Sequence, residues 1–243
     1  MKKIVFVLWL LMVLGFTGNG NATLWDRGGG MIYDDATNLT WLQNAQLGAG
    51  SSYDNGISNS DGRMTWNNAK AWADQLVYGG YSDWRLPTTV DDGSPIWPYY
   101  QYSYDGSTST GYNNTTSELG YLCYVSLGKV SPFYPDGTPN PSWIPNDPHA
   151  SFIDGNGEIK SFINLTTEHY WSGTESAYMP GAIWIFGGFS DAIQIADGDR
   201  YYMELQAWAL RDGDVTAVPE PTTMLLLGLG LIGLAGIRRK LKS

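Results

Sequence analysis

The stretch GYSDWRLPT, residues 80–88, sets an aspartate and an arginine on either side of a tryptophan and reaches a proline two residues later. In an extended segment, Trp84 would lie on one face and both charges on the other. Asp83 and Arg85 supply no nucleophile, and neither is a natural base near neutral pH. They can exchange several hydrogen bonds with loop backbone. We therefore interpret Asp83, Trp84 and Arg85 as a structural brace, with ligand contact and catalysis as the alternatives.

One amphipathic helix precedes this stretch. Thr65 is predicted to cap it, and the glycine pair at residues 79–80 is predicted to end it. Its apolar residues recur at spacings of three and four, the period of a helix with one buried face: Trp66, Ala69, Trp72, Ala73 and Leu76.

The other regular elements are predicted as short strands bounded by glycine, aspartate and asparagine. Two of them flank residues 154–158 and predict a hairpin. Residues 91–116 and 131–150 lack periodicity and are predicted as loops, with a short turn or helix at 117–122 between them. The pattern predicts an α+β fold: a single compact, loop-rich domain with few helices and short antiparallel strands. The predicted strands are residues 31–33, 39–42, 152–153, 159–163, 182–186, 192–196 and 202–210.

The N-terminus has the pattern of a secretory signal peptide. Lys2 and Lys3 precede an apolar run over residues 4–16, and the small residues around Ala22 suit a cleavage site. The apolar run is too short for a comfortable membrane span. We therefore expect residues 1–22 to be the signal peptide, handled by the Sec export machinery.

The C-terminus combines a Pro-Glu-Pro sequence, an apolar run over residues 224–237 and a basic tail. With two preceding threonines the run has 16 residues, and a helix of that length spans roughly 24 Å, thin for a hydrocarbon core of about 30 Å. We expect the run to hold the protein in the membrane only transiently, with the tail on the cytoplasmic side. The residues that carry this pattern are Pro219, Glu220, Pro221, Arg238 and Arg239.

The order of these three parts resembles a PEP-CTERM sorting signal over residues 217–243. The resemblance implies a Gram-negative bacterium that makes exopolysaccharide, and an exosortase that cuts near Pro219 after export. An ordinary tail anchor is the alternative. The protein would then be anchored transiently in the inner membrane before it reaches the cell surface or the extracellular matrix.

Composition narrows the range of partners. Between residues 23 and 217 lie 23 acidic and 8 basic residues, a net charge of −15. An acidic surface repels phosphate and sulfate backbones, so nucleic acid is excluded as a partner. Cys123 is the single cysteine of the chain, so no intramolecular disulfide can form. About 195 residues suffice to bury one sizeable core without such a bond.

Five segments occur in an order that resembles the C-terminal domain family of the Legionella collagen-like protein, a domain of unknown function. The match covers residues 31–214, so that the domain would occupy 23–216. The resemblance implies a fold akin to C-type-lectin-like and formylglycine-generating-enzyme-like domains, and surface adhesion or ligand binding in place of catalysis. The founding member binds anionic glycans, but this chain is acidic, so that ligand class does not carry over. The segments are Trp41-Leu42, the helical Trp66 and Trp72, GYSDWRLPT, YWSGTE at 170–175 and AWALR at 207–211.

Aromatic residues are concentrated in the irregular segment that follows residue 91. Carbohydrate-binding sites commonly contain exposed aromatic rings that stack on the faces of sugars. The alternative is that these rings pack the loops onto the domain. The candidate ligand-binding residues are Trp97, Tyr99, Tyr100, Tyr102 and Tyr104, with Tyr112 in the same segment.

Metal and cofactor binding are less well supported. Asp154, Asn156 and Glu158 alternate oxygen donors like the start of a calcium loop, but the later acidic ligand of an EF-hand is absent at the required place. We therefore favour a hairpin turn and no metal, with calcium as the weaker alternative. His149 and His169 are too isolated to form a metal site.

The leading hypothesis is an exported, non-enzymatic adhesion or glycan-binding module of the cell surface or biofilm matrix. Its partner would be a neutral or weakly charged exopolysaccharide, and it would need no cofactor. The first rival is a hydrolase or oxidase on the same scaffold, which predicts a pocket where two titratable groups converge. The second is a purely structural matrix protein, which predicts neither a pocket nor an exposed aromatic cluster.

Overall fold

The computed structural model describes residues 22–54, 56, 58, 60–93, 101–147, 150–199 and 203–215, with the backbone alone at 190 and 197–199. The predicted signal peptide up to residue 21 and the sorting segment 217–243 lie outside the described residues. So do three of the candidate ligand-binding residues, Trp97, Tyr99 and Tyr100.

The described part of the chain forms short strands and a few helical turns. In chain order these are β1 (Leu24–Asp26), β2 (Met31–Asp34), β3 (Leu39–Leu42), β4 (Arg63–Met64), α1 (Trp66–Gln75), α2 (Glu118–Tyr121), a π-helical turn (Leu122–Ser126), β5 (Ser151–Ile153), β6 (Ile159–Ser161), β7 (Tyr170–Glu175), β8 (Ala182–Phe186), α3 (Gly188–Asp191), β9 (Gln194–Asp199), β10 (Leu205–Gln206) and β11 (Leu210–Asp212).

The strands form two sheets and a separate hairpin. The first sheet has the order β1-β2-β3-β11 and is antiparallel throughout. The second has the order β4-β10-β7-β8-β9, in which the single contact between β10 and β7 is parallel. Strands β5 and β6 pair with each other. The prediction of an α+β domain is confirmed. The strands pair in antiparallel fashion, as predicted, except where β10 contacts β7.

The core between the sheets is built around Trp208, which is fully buried. Its ring lies 4.8 Å from Trp41, 5.1 Å from Phe162 and 5.9 Å from Tyr170, measured between centroids. Its indole N–H donates to the backbone carbonyl of Leu42 at 2.7 Å. The same tryptophan therefore fills the centre of the core and ties it to β3.

Residues 207–209 carry the chain from the second sheet to the first. The Ala207 amide donates to Gly62 near β4, and the Ala209 carbonyl accepts from Leu42 of β3. The single strand predicted over 202–210 is therefore wrong, because the chain changes sheets in its middle. Ala207 and Ala209 on both sides of Trp208 are small and fully buried, so the backbone passes through the core at this point.

Helix α1 begins where the periodicity predicts, but its ends differ from expectation. Thr65 occupies the N-cap position without a side-chain capping bond, and the helix ends at Gln75, before the glycine pair. Residues 79–80 instead connect Tyr78 and Tyr81, which form a bridge with hydrogen bonds of 3.0 Å in both directions. Both glycines have positive φ, 61° and 88°. A two-residue hairpin turn of type I′ needs positive φ at both central positions, so the glycines form a turn instead of ending the helix.

Strand β9 also starts later than predicted. Ala192 has a left-handed backbone with φ 54° and closes α3, so it cannot extend the strand. The β5–β6 hairpin forms as predicted around residues 154–158.

Candidate functional site

Arg85 joins three segments of the chain. Its guanidinium donates to both carboxylate oxygens of Glu118, at 2.8 and 2.7 Å, and to Asp212 at 2.6 Å. Its backbone exchanges two hydrogen bonds with Leu210, at 2.8 and 2.9 Å. Burial alone would lower the pKa of Arg85, but the hydrogen bonds and charges of Glu118 and Asp212 outweigh it and raise that pKa.

Asp83 contacts the same strand from the other side of Trp84. Its carboxylate accepts from Nε and Nη2 of Arg211, both at 2.8 Å. The hydrogen bonds from Arg211 lower the pKa of Asp83. Arg211 also lies over the Tyr81 ring, 4.2 Å from its centroid. Asp83 and Arg85 thus bind neighbouring residues of β11.

Trp84 points inward between these two charges. It is 2% exposed, and its indole N–H donates to the Tyr78 carbonyl at 3.3 Å. Tyr78 approaches it edge-on, with centroids 6.1 Å apart. The side-chain alternation expected for an extended segment is therefore present at residues 83–85. These contacts connect the stretch to β11, to α2 and to the turn at Tyr78.

The candidate aromatic residues that the structure describes belong to one cluster, which we call the aromatic cluster: Tyr102, Tyr104, Tyr112 and Phe133. The rings of Tyr104 and Tyr112 are stacked, 5.9 Å apart and 5° from parallel. Phe133 contacts both, at 5.1 and 4.8 Å. Tyr102 lies 6.3 Å from Tyr112 and is 40% exposed, whereas the other three rings are half-buried. The cluster therefore joins two loops and presents one ring to solvent.

The Tyr112 phenol of this cluster stays neutral over the ordinary pH range. Burial raises the pKa of Tyr112 to about 12, and the charge of Asp191 and the phenols of Tyr102 and Tyr104 add to the effect. Neutral hydroxyls and ring faces are the groups that suit a neutral sugar.

Phe133 is the member of the cluster that the sequence did not point to. It lies 21 positions beyond Tyr112 in a loop that has no periodicity. The hydrogen bond from Asn113 Nδ2 to its carbonyl, at 3.1 Å, helps to bring that loop alongside. Glu118, the partner of Arg85, was likewise not predicted.

The calcium candidates use their oxygens within their own turn. Asp154 Oδ1 accepts from the amides of Asn156 and Glu158, both at 2.9 Å, and Asp154 Oδ2 accepts from the Asn156 side chain at 3.3 Å. Glu158 pairs with Lys160 at 3.0 Å. Among the described residues, no group of three or more His, Cys, Asp or Glu side chains is arranged to hold a metal ion.

Cys123 is fully buried within the π-helical turn. Burial raises the pKa of its thiol far above the usual range. The thiolate is the reactive form, so this side chain behaves as a small apolar group.

Comparison with known families covers most of the chain. The family described as the Lcl C-terminal domain matches residues 30–211. The chain belongs to the Lcl C-terminal domain family. The PEP-CTERM protein-sorting motif matches residues 217–240, next to the Lcl C-terminal domain. Both resemblances drawn from the sequence are therefore confirmed. No curated protein and no solved structure was found to match.

The sorting motif identifies an exported protein that an exosortase recognises and processes, with membrane-anchored transit in a Gram-negative bacterium. In the part of the chain that the structure describes, no helix is long and apolar enough to cross a membrane.

Proposed function

We propose that the Lcl C-terminal domain of this protein is a non-catalytic adhesion module that binds a neutral or weakly charged exopolysaccharide at the cell surface or in the biofilm matrix. The observation that carries this proposal is the aromatic cluster, in which Tyr102 exposes 40% of its surface beside the stacked pair Tyr104 and Tyr112. A sugar ring presents an apolar face to such a ring and its hydroxyls to the neighbouring phenols.

The charge of the protein supports a neutral ligand over a sulfated one. The residues between 23 and 217 have a net charge of −15. The brace residues Asp83 and Arg85 are committed to Arg211, Glu118 and Asp212. The guanidinium groups of Arg85 and Arg211 are therefore already paired and offer little to an anionic polymer.

For the fold we propose a C-type-lectin-like arrangement, in which two small sheets carry long ordered loops. Two loops, which the structure describes over residues 76–93 and 101–117 and over residues 127–147, bear the aromatic cluster, as ligand-binding loops do when a rigid scaffold positions them. Superposition of an experimental structure on C-type-lectin-like domains tests this arrangement.

The binding proposal is tested with mature protein purified from its host. Binding to neutral exopolysaccharide is measured by glycan array and calorimetry for the wild type and for Tyr102→Ala. We expect about a three- to tenfold loss of affinity, since one aromatic contact contributes about 0.5–1.5 kcal/mol. Tyr178→Ala is the matched control, because Tyr178 is 47% exposed and no ring contact was found for it among the described residues.

The alternatives give different results in the same experiment. No binding to any glycan, or binding that Tyr102→Ala leaves unchanged, would contradict the site. A structural matrix protein would show no saturable glycan binding at all. A hydrolase would shorten the polymer, which size-exclusion chromatography detects. Calcium binding at Asp154, Asn156 and Glu158 stays the weaker alternative to a metal-free hairpin turn, and calorimetric titration with calcium chloride tests it.

A further inference from the structure

A small cavity of about 100 Å³ lies on the loop that follows the π-helical turn. This is the loop that also carries Phe133, but the cavity is separate from the aromatic cluster. Its described lining consists of Lys129, Val130, Ser142, Ile144 and Asp147.

Lys129 and Asp147 are the charged residues of this lining, and Lys129 is unusually buried for a lysine. Only 6% of the residue is exposed. An ammonium group has three donors. The acceptor that the structure gives it is the backbone carbonyl of Asp147, 2.6 Å from Nζ. Lys129 takes part in none of the ion pairs formed among the described residues.

The two other lysines between residues 23 and 217 are differently placed. Lys160 pairs with Asp26 at 3.2 Å and with Glu158 at 3.0 Å. Lys70 lies over the Trp66 ring, 4.7 Å from its centroid, and is exposed. Lys129 is thus the lysine that is both buried and short of acceptors.

A buried ammonium with unfilled donors is unfavourable, since buried charges in proteins are paired or hydrogen-bonded. Burial lowers the pKa of Lys129, and the nearby Cys123, Asp147 and Asp191 only partly oppose this. A ligand with acceptor oxygens and a negative charge would fill the free donors of Lys129 and pair with its charge.

The walls of the cavity define the remainder of such a ligand. Val130 and Ile144 expose 40% and 63% of their surfaces, and Ser142 adds a hydroxyl. One water occupies about 30 Å³ in the liquid, so the cavity holds roughly three waters. A carboxylate with one or two carbons matches that size, and a whole sugar ring exceeds it.

We propose that this cavity binds a carboxylate, whose oxygens accept from Lys129 Nζ and whose carbon chain contacts Val130 and Ile144. The carboxylate is either that of a free short-chain acid or one that projects from a larger molecule such as a sugar acid. This site goes beyond the glycan proposal and does not depend on the aromatic cluster. The net negative charge of the protein acts mainly at long range, where salt screens it over about 8 Å, whereas the contact with Nζ is local.

The test uses the mature protein with isotopically labelled lysines, so that NMR resolves Lys70, Lys129 and Lys160 in one spectrum. Acetate and propionate represent the free acids, glucuronate represents the projecting carboxylate, and chloride at equal ionic strength is the reference. We expect saturable shifts at Lys129 alone and a rise of its pKa in the bound state. The arm that saturates identifies the source of the carboxylate.

Lys129→Met keeps an unbranched side chain, one atom shorter than that of lysine, and removes the charge. It should lower the carboxylate affinity about tenfold or more, as expected for a charge-assisted hydrogen bond, whereas Lys160→Met should leave it unchanged. If Lys129→Met does not fold, the wild-type spectrum still decides, because Lys70 and Lys160 are internal controls. Equal shifts at all three lysines, or the same response to chloride as to every carboxylate, would overturn the proposal.

Discussion

Arg85 and Glu118 lie 33 residues apart in the chain and form a bidentate ion pair, with Nη1–Oε2 and Nη2–Oε1 distances of 2.8 and 2.7 Å. The same carboxylate accepts from the Thr88 amide at 2.6 Å, and Arg85 also reaches Asp212 at 2.6 Å. Their side chains are 30% and 19% exposed, so the pair is partly shielded from water. It connects the end of the GYSDWRLPT stretch to α2 and β11.

Glu118→Gln should destabilise the fold. The substitution keeps the shape but replaces one charge-assisted acceptor with a donor that faces Arg85. We expect a loss of about 1.5–3 kcal/mol in the free energy of unfolding, measured by urea denaturation at pH 7. Glu158→Gln is the control, because Glu158 is 66% exposed in its pair with Lys160, and an exposed pair contributes about 0–1 kcal/mol. Equal losses in both variants would contradict the role of the pair.

Asp83 should make stability depend on pH at the acid end. Its pKa is lowered by Arg211, so in acid the unfolded chain binds more protons than the folded one. The contribution of Asp83 is complete above about pH 4, the usual aspartate pKa, and is lost as the pH falls through the lower folded value. Asp83→Asn should weaken the loss of stability between about pH 4 and 2. The effect is small, because the side chain is 57% exposed. Identical acid limbs in both proteins would refute this prediction.

Asp34 should act in the opposite direction. It is fully buried and accepts from Ser126 Oγ at 2.5 Å and from the Ala36 amide at 3.1 Å. Burial raises its pKa in spite of these bonds, so the folded state binds more protons. The contribution of Asp34 to stability is therefore complete below the usual aspartate pKa of about 3.9 and is lost as the pH rises through the higher folded value.

Asp34→Asn tests this sign, since the amide oxygen still accepts a hydrogen bond and the Ser126 hydroxyl can accept from the amide nitrogen. Denaturation curves from about pH 4 to 8 should show a smaller decline for the variant. A steeper decline in the variant would show that the carboxylate stabilises the fold as an anion.

Trp208 and Trp41 provide a matched pair in the core. Both are fully buried, but the Trp208 indole N–H donates to Leu42 at 2.7 Å, whereas the Trp41 indole N–H has no acceptor among the described residues. Trp208→Phe should therefore destabilise the fold more than Trp41→Phe, by about 1–3 kcal/mol for the unpaired Leu42 carbonyl. Thermal and urea unfolding of the two variants measure the difference. A larger loss at Trp41 would mean that packing outweighs the hydrogen bond.

The sequence predicts best those helices and strands whose position depends on their own residues and on the adjacent turns. Period-two patterns and turn residues place β2 and β3 and the β5–β6 hairpin, and the apolar spacing places α1. These signals act within a few residues, so they survive in the folded chain.

Features that depend on distant contacts could not be predicted in this way. The sequence over residues 202–210 predicts one strand. In the structure this part of the chain contributes β10 to the second sheet and then begins β11 in the first sheet. Arg85 was recognised as a brace candidate, yet its partner Glu118 depends on how a loop of irregular sequence folds back. Phe133 joins Tyr104 and Tyr112 for the same reason.

The folded end of the domain lies close in sequence to the expected exosortase cleavage site. Asp214 is held by Arg27, with its Oδ1 2.8 Å from Arg27 Nε, and Val215 is 4% exposed. Pro219 follows Asp214 by five residues, which span at most about 18 Å when fully stretched. A protease that cuts at Pro219 must therefore approach to within that distance of the folded surface. After such a cut, only a few residues would extend beyond the domain.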